Sequence, residues 1–179
     1  MANEQTEWTT ATGLNRKMFE EFTAYAASDN SVDNRNRAIA LGFEQEGVLI
    51  APGCIIRIPR ENVGPNTFLG LYSYISGDVT IGKNVLIGPH CSMSSNNHRF
   101  NPETESFVGR NEREPIVIRD GCWLAAGVMV TAGVTVGKAN LVCANSVVTK
   151  STPDYAIVAG TPAKQVGRID PGTGEYEWF

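Results

Sequence analysis

One histidine in a polar, proline-bearing stretch offers the most usable chemistry in this 179-residue chain. His98 stands within Ser94-Ser95-Asn96-Asn97-His98-Arg99-Phe100-Asn101-Pro102, and charged residues then follow as far as Glu114-Pro115. An imidazole titrates near neutral pH, so it can take a proton from a hydroxyl group as a general base. The second histidine, His90, follows Gly88-Pro89 and reads as a turn residue with a structural or subunit-facing role. Cys54, Cys91, Cys122 and Cys143 lack Cys-x-x-Cys spacing, and read as buried thiols of a reducing compartment.

The elements that must hold His98 are set by a six-residue frame. Val63, Leu69, Ile75, Ile81, Ile87 and Met93 keep it, and Ile118, Leu124, Val130, Val136, Val142 and Val148 resume it. Neither helical spacing nor simple alternation has this period, and internal repeats take precedence over local propensity. The residue after each aliphatic is mostly Gly, Ser, Ala or Thr, and Gly, Asn, Asp and Lys cluster between the aliphatics. That pattern describes a short strand, a tight turn and another short strand on a new side. Ile50 and Ile56 sit one residue out of frame, which implies a bulged first coil. The frame breaks between Met93 and Ile118, so an inserted loop over 94–117 leaves a rigid scaffold, a favoured place for function.

Upstream, Leu14, Met18, Phe19, Phe22 and Ala26 keep helical spacing, and Ala38, Ile39, Leu41 and Phe43 suggest a second helical piece. An N-terminal helical cap over 1–47 would cover the open end of the coil, which would occupy 48–152. Residues 153–179 form a C-terminal extension beginning at Pro153. A net charge of −4 disfavours a nucleic-acid surface. No stretch is apolar and long enough to span a bilayer, and the N-terminus has no signal-peptide core, so a cytoplasmic location is expected.

The segment from Ile81 to Arg168 resembles the hexapeptide-repeat acyltransferases, specifically the galactoside, maltose and capsular-polysaccharide O-acetyltransferases. The matching stretches are Ile81-Gly82-Lys83-Asn84-Val85-Leu86-Ile87-Gly88-Pro89, Asn97-His98-Arg99-Phe100, Pro115-Ile116-Val117-Ile118, Cys122-Trp123-Leu124-Ala125, Val147-Val148-Thr149-Lys150 and Ala159-Gly160-Thr161-Pro162-Ala163. The resemblance implies an all-β fold: a left-handed parallel β-helix of hexapeptide repeats with a short N-terminal helical cap and an inserted loop. It also implies acetyl-CoA as co-substrate, no metal, a saccharide acceptor, and a homotrimer with active sites between subunits.

Carried over residue by residue, His98 matches the family's catalytic base, and Trp123 a tryptophan beside the reacting end of the cofactor. Ala126 falls where a backbone N–H faces the thioester oxygen. Ala125 and Ala144 match small residues lining the pantetheine groove, Thr149 and Lys150 a pair along the lower arm, and Lys164 and Arg168 basic residues near the phosphates. Galactoside- and maltose-type members carry an asparagine where this chain has Gly70 or Tyr72. The Asn-His-Arg-Phe run is more similar to the branch that decorates surface polysaccharides, with Tyr72, Tyr74, Asn97, Arg99 and Phe100 as candidates for holding the sugar. Amino-sugar N-acetylation and an inactive binding homologue are the alternatives on this scaffold. A γ-carbonic-anhydrase-like zinc site needs three histidine ligands, and the chain has two histidines.

Overall fold

Every aliphatic residue of the six-residue frame points into one continuous core in the computed structural model, which describes residues 13–179. None of the twelve is more than 2% exposed. The chain winds through three faces in turn. Face I holds Phe68–Leu69, Leu86–Ile87, Trp123–Leu124 and Leu141–Val142; face II holds Tyr74–Ser76, Ser92–Ser94, Met129–Val130 and Val147–Val148; face III holds Val79–Ile81, Ile116–Ile118 and Thr135–Val136. Pairing along each face is parallel, with Val63 over Ile81 and Leu124 over Val142, the eighteen-residue step that three hexads per coil require. Across the insertion Ile81 pairs with Ile118 and Met93 with Val130, so the frame resumes in phase.

The corners explain the small residues. Each turn needs a residue in the left-handed region, filled by Gly53, Tyr72, His90, Gly127 and Asn145 at the edge between faces I and II. Buried side chains tie one corner to the next: Ser73 Oγ donates to the Gly88 carbonyl at 3.1 Å, and Cys122 Sγ to the Gly137 carbonyl at 2.9 Å. The first coil carries its extra residue as the sequence implies. Ile50 pairs with Leu69 and Ile56 with Ile75, and a short 3-10 turn over Arg60–Asn62 follows before Val63 restores the frame.

Two helices precede the coil, α1 over Arg16–Ala27 and α2 over Ser31–Ala40. Residues 1–12 of the expected 1–47 cap lie outside the described residues. The end of the coil is closed by α2 together with buried Ala38, Phe43 and Val48. Arg37 of α2, only 9% exposed, donates to the Ile50 carbonyl and to the carbonyls of Tyr25 and Ser28. Helix α1 is held through those last two carbonyls, and its apolar residues do not reach the core; Phe22 is 62% exposed. At the far end, Ala156–Gly160 joins face I, and two antiparallel strands, Ala163–Ile169 and Tyr176–Trp178, extend that sheet past the last coil.

All four cysteines are free thiols. Burial is the largest cause pushing Cys54 and Cys122 up from 9.0 to about 11. In the unfolded chain these thiols ionise near pH 9.0, whereas the folded protein holds their protons to about pH 11. Their contribution to stability is therefore complete below pH 9.0 and is lost as pH rises through that window. Thermal melting followed by circular dichroism should show a falling midpoint over this range, with a shallower fall in the Cys54→Ala/Cys122→Ala variant; identical slopes would contradict this account.

Candidate active site

The insertion is a β-hairpin rather than an irregular loop, pairing Asn96–Asn101 with Ser106–Arg113. Phe100 opposes Phe107 in an edge-to-face contact at 5.5 Å, which favours the paired ribbon over a loose loop. The register is broken at one place. Asn97 pairs with Glu112 but Arg99 pairs with Val108, so His98 alone stands opposite residues 109–111, beginning with Gly109 at φ 56. Bulges of this kind re-aim side chains, and here the irregularity falls on the one imidazole in the ribbon.

The ribbon is anchored at the edge between faces II and III. Asn97 Nδ2 donates to Glu114 Oε2 at 3.4 Å, and Glu114 N–H donates to the Ser95 carbonyl at 3.0 Å. Ser95, fully buried, accepts from the Asp78 N–H through its hydroxyl at 2.6 Å. His98 is exposed one residue above this anchor. At the foot of the hairpin runs a groove of 160 Å³ lined by Ser92, Ser94, Asn97, Met129, Thr131 and Ala132. Tyr74 is in register with Ser92 on the same face. Thr131 donates its N–H to the Val148 carbonyl, which puts Thr149 and Lys150 one coil farther along this edge, both exposed.

A second group gathers at the edge between faces I and II. Trp123 faces outward from face I, in register with Leu86 and Leu141, and is 48% exposed. Ala125 and Ala126 turn the corner after it. The Asn145 N–H donates to the Ala126 carbonyl at 2.9 Å, so Ala144 follows in the next coil. Gly88 lies against this turn so closely that an added Cβ would sit 2.7 Å from the Ala126 nitrogen. Tyr72 is here too, stacked on His90 at 5.5 Å, and so is separated from Tyr74 and the groove. Lys164 and Arg168 lie on the strand beside Ala156–Gly160, and Arg168 Nε is already engaged by Glu177 Oε2 at 2.6 Å.

The nominated residues thus gather mostly toward the two edges of face II, with His98 and Trp123 on opposite sides of one chain, whereas Arg168, paired with Ala156, lies toward the far edge of face I. Sequence reasoning missed Glu114, Ser92 and Met129, although the last two occupy outward hexad positions that could have flagged them. A larger hollow of 310 Å³ lies on face III by Arg119, Asp120, Lys138 and Asp154. Its carboxylates cap backbone turns, Asp120 accepting from Lys83 N–H and Asp154 from Lys138 N–H. Among the described residues no group of three or more His, Cys, Asp or Glu side chains is placed to hold a metal ion, and no helix is long and apolar enough to cross a membrane.

Comparison with known proteins accords with this architecture. A family model described as the hexapeptide repeat of succinyl-transferase matches residues 103–132. The galactoside O-acetyltransferase of Escherichia coli K12 is 32% identical over 123 residues, covering 64% of this chain and 57% of that protein. The Lactococcus lactis galactoside O-acetyltransferase is 34% identical over 93 residues, covering 52% and 44%. The chain thus spans about half the length of the curated relatives it matches. Among solved structures, a maltose O-acetyltransferase from Clostridium difficile 630 superposes with a TM-score of 0.61 at 24% identity, covering 87% of this chain and 86% of that one. A galactoside acetyltransferase in complex with coenzyme A gives 0.56 at 24%, covering 91% and 84%. The fold is the left-handed parallel β-helix that the resemblance implies. The chain thus carries a hexapeptide-repeat segment and shares its fold with sugar acetyltransferases of known structure.

Proposed function

We propose that this protein moves the acetyl group of acetyl-CoA to a hydroxyl of a saccharide, with His98 as general base. The observation that carries the reading is the bulge at His98, which holds an exposed imidazole next in sequence to Asn97, a lining residue of the groove at the foot of the ribbon. The two relatives at 32% and 34% identity are both named galactoside O-acetyltransferase, which favours a hydroxyl acceptor. Free thiols at every cysteine suit a reducing, cytoplasmic compartment.

The chain's own residues fit such a co-substrate. Small side chains at Ala125, Ala126 and Ala144 leave their own coils free of bulk at the edge between faces I and II, which suits a thin thiol-ended arm, and Trp123 offers an indole beside it. The bound thioester supplies an activated acyl carbon. The Ala126 N–H would stabilise negative charge on its oxygen, a contribution of about 3 kcal/mol when such a donor is well placed. Lys164 is the exposed cation nearest that edge in register, pairing with Ala159; Arg168, held by Glu177, is the weaker candidate for a phosphate. On the His98 side, Asn97 would orient the sugar while the imidazole takes the hydroxyl proton; Tyr74, in the outward column of face II between Ile55 and Ser92, is the weaker candidate.

Because the two residue groups lie on opposite edges of face II, one chain supplies half of two sites. A cyclic assembly with face II of each chain toward a common axis would bring the His98 edge of one chain to the Trp123 edge of the next. Face II carries the side chains for such burial, with Ile55 48% and Met129 46% exposed along its outward column. A homotrimer closes this arrangement.

His98→Ala should lose about a hundredfold or more in kcat while calorimetry still detects acetyl-CoA binding; full turnover in that variant would end the mechanism. Chains carrying His98→Ala and Trp123→Ala, each impaired alone, should regain activity when co-expressed, and failure to complement would refute the shared site. Gly88→Ala should lower kcat by about a hundredfold by displacing the Ala126 N–H. Gly64→Ala is the control, since its Cβ would lie 2.5 Å from the Gly82 backbone at a different edge and should destabilise without that catalytic loss.

A further inference from the structure

The edge between faces I and II holds a feature that the corner geometry does not require. Its left-handed positions are Gly53, Tyr72, His90, Gly127 and Asn145, one per coil. Glycine and asparagine adopt this conformation readily, whereas bulky side chains resist it. Tyr72 at φ 55 and His90 at φ 58 are thus two aromatic residues in places where neighbouring coils use Gly or Asn. Their rings stack at 5.5 Å with planes 18° apart. Gly53 makes room on the far side of the Tyr72 ring, since a Cβ there would lie 2.2 Å from it. The pair is held in place yet remains exposed, Tyr72 at 59%.

Its position gives the pair a use. The next coil carries Gly127 at the same corner, adding no side chain over the imidazole, and Ala126 directly precedes it. His90 N–H bonds to the Leu71 carbonyl at 2.7 Å, and the Gly127 N–H to the Pro89 carbonyl at 2.8 Å, so the imidazole is fixed one coil from the Ala126 amide. The hairpin bearing His98 leaves the same coil as His90, a few residues later at Ser94. A rotation axis parallel to the coil keeps heights equal, and so sets a neighbour's His98 level with His90. We propose that His90, backed by the Tyr72 ring, binds the acceptor saccharide in the acetyl-transfer site. Either ring nitrogen can hydrogen-bond a sugar hydroxyl, and the aromatic faces accept the apolar face of a pyranose. The inference rests on the acetyltransferase reading, and names the wall of that site opposite the general base.

His90→Asn keeps a residue that tolerates the left-handed corner, so the fold should survive. With methyl β-galactoside, maltose and glucosamine as probes, the variant should show an acceptor KM raised by about tenfold, the loss of one well-made hydrogen bond, with acetyl-CoA KM and melting midpoint unchanged. The protein has only two histidines, so their imidazole proton signals can be assigned from His90→Asn and His98→Ala. In the inactive His98→Ala protein, adding the saccharide that the wild type acetylates should still shift the His90 signal. An unchanged acceptor KM together with an unmoved signal would show the stacked pair to be architectural. If the wild type acetylates none of the probes and no probe moves either signal, the acetyltransferase reading fails and this inference with it.

Discussion

Coil-on-coil stacking of inward aliphatic side chains is the interaction on which everything else in this molecule depends. No coil can bury its own core. Leu69 is covered by Ile87, Ile87 by Leu124 and Leu124 by Val142, each contributed by the next turn of the chain. Stability in such a stack accumulates between nearest neighbours, so its two ends need separate closure. At the start, Arg37 gathers carbonyls from Tyr25, Ser28 and Ile50 and fastens α2 over Phe43 and Val48. At the finish, Ala156 and Val158 are buried in the core, and Ala163 on the adjoining antiparallel strand packs against it.

With the inward positions committed to the core, chemistry is left to the edges and the outward columns. An edge suits it because the turn residues expose backbone N–H groups in a conformation fixed by ladder bonds on both sides. An insertion is also tolerated there. The hairpin leaves after Ser94 and returns at Glu114, which bonds back to Ser95 and forward to Gly133, so the ladder is continued across the insertion. Loop length adds little closure cost when the two ends are already adjacent. The scaffold can thus carry His98 on a rigid projection while losing none of its stacking.

On the proposed reading, the two edges of one face make a single chain half of two sites. The imidazole side has a groove and polar side chains, while the Trp123 side has small residues and an indole. Each surface is regular because the coil is regular, and a symmetric neighbour is the simplest partner whose opposite edge would match it in height.

Much of this was legible in the residues. The six-residue aliphatic frame, its phase across the break, the extra residue before Val63 and the placement of His98 outside the frame all follow from local spacing, because a short period leaves few ways to bury its aliphatics. Other features depended on contacts that spacing does not encode. That the insertion pairs as a ribbon rests on Phe100 meeting Phe107, and the bulge at His98 on the register this contact enforces. Arg168 is taken up by Glu177 because a terminal strand folds back along the sheet. Met18 and Phe22 keep helical spacing yet stay substantially exposed, because α2 rather than α1 closes the coil. Tyr72 and Tyr74, two residues apart, fall on different surfaces because a corner lies between them. Spacing along the chain determined which residues enter the core; only three-dimensional register, set by neighbours distant in sequence, decided which of the remaining ones share an edge.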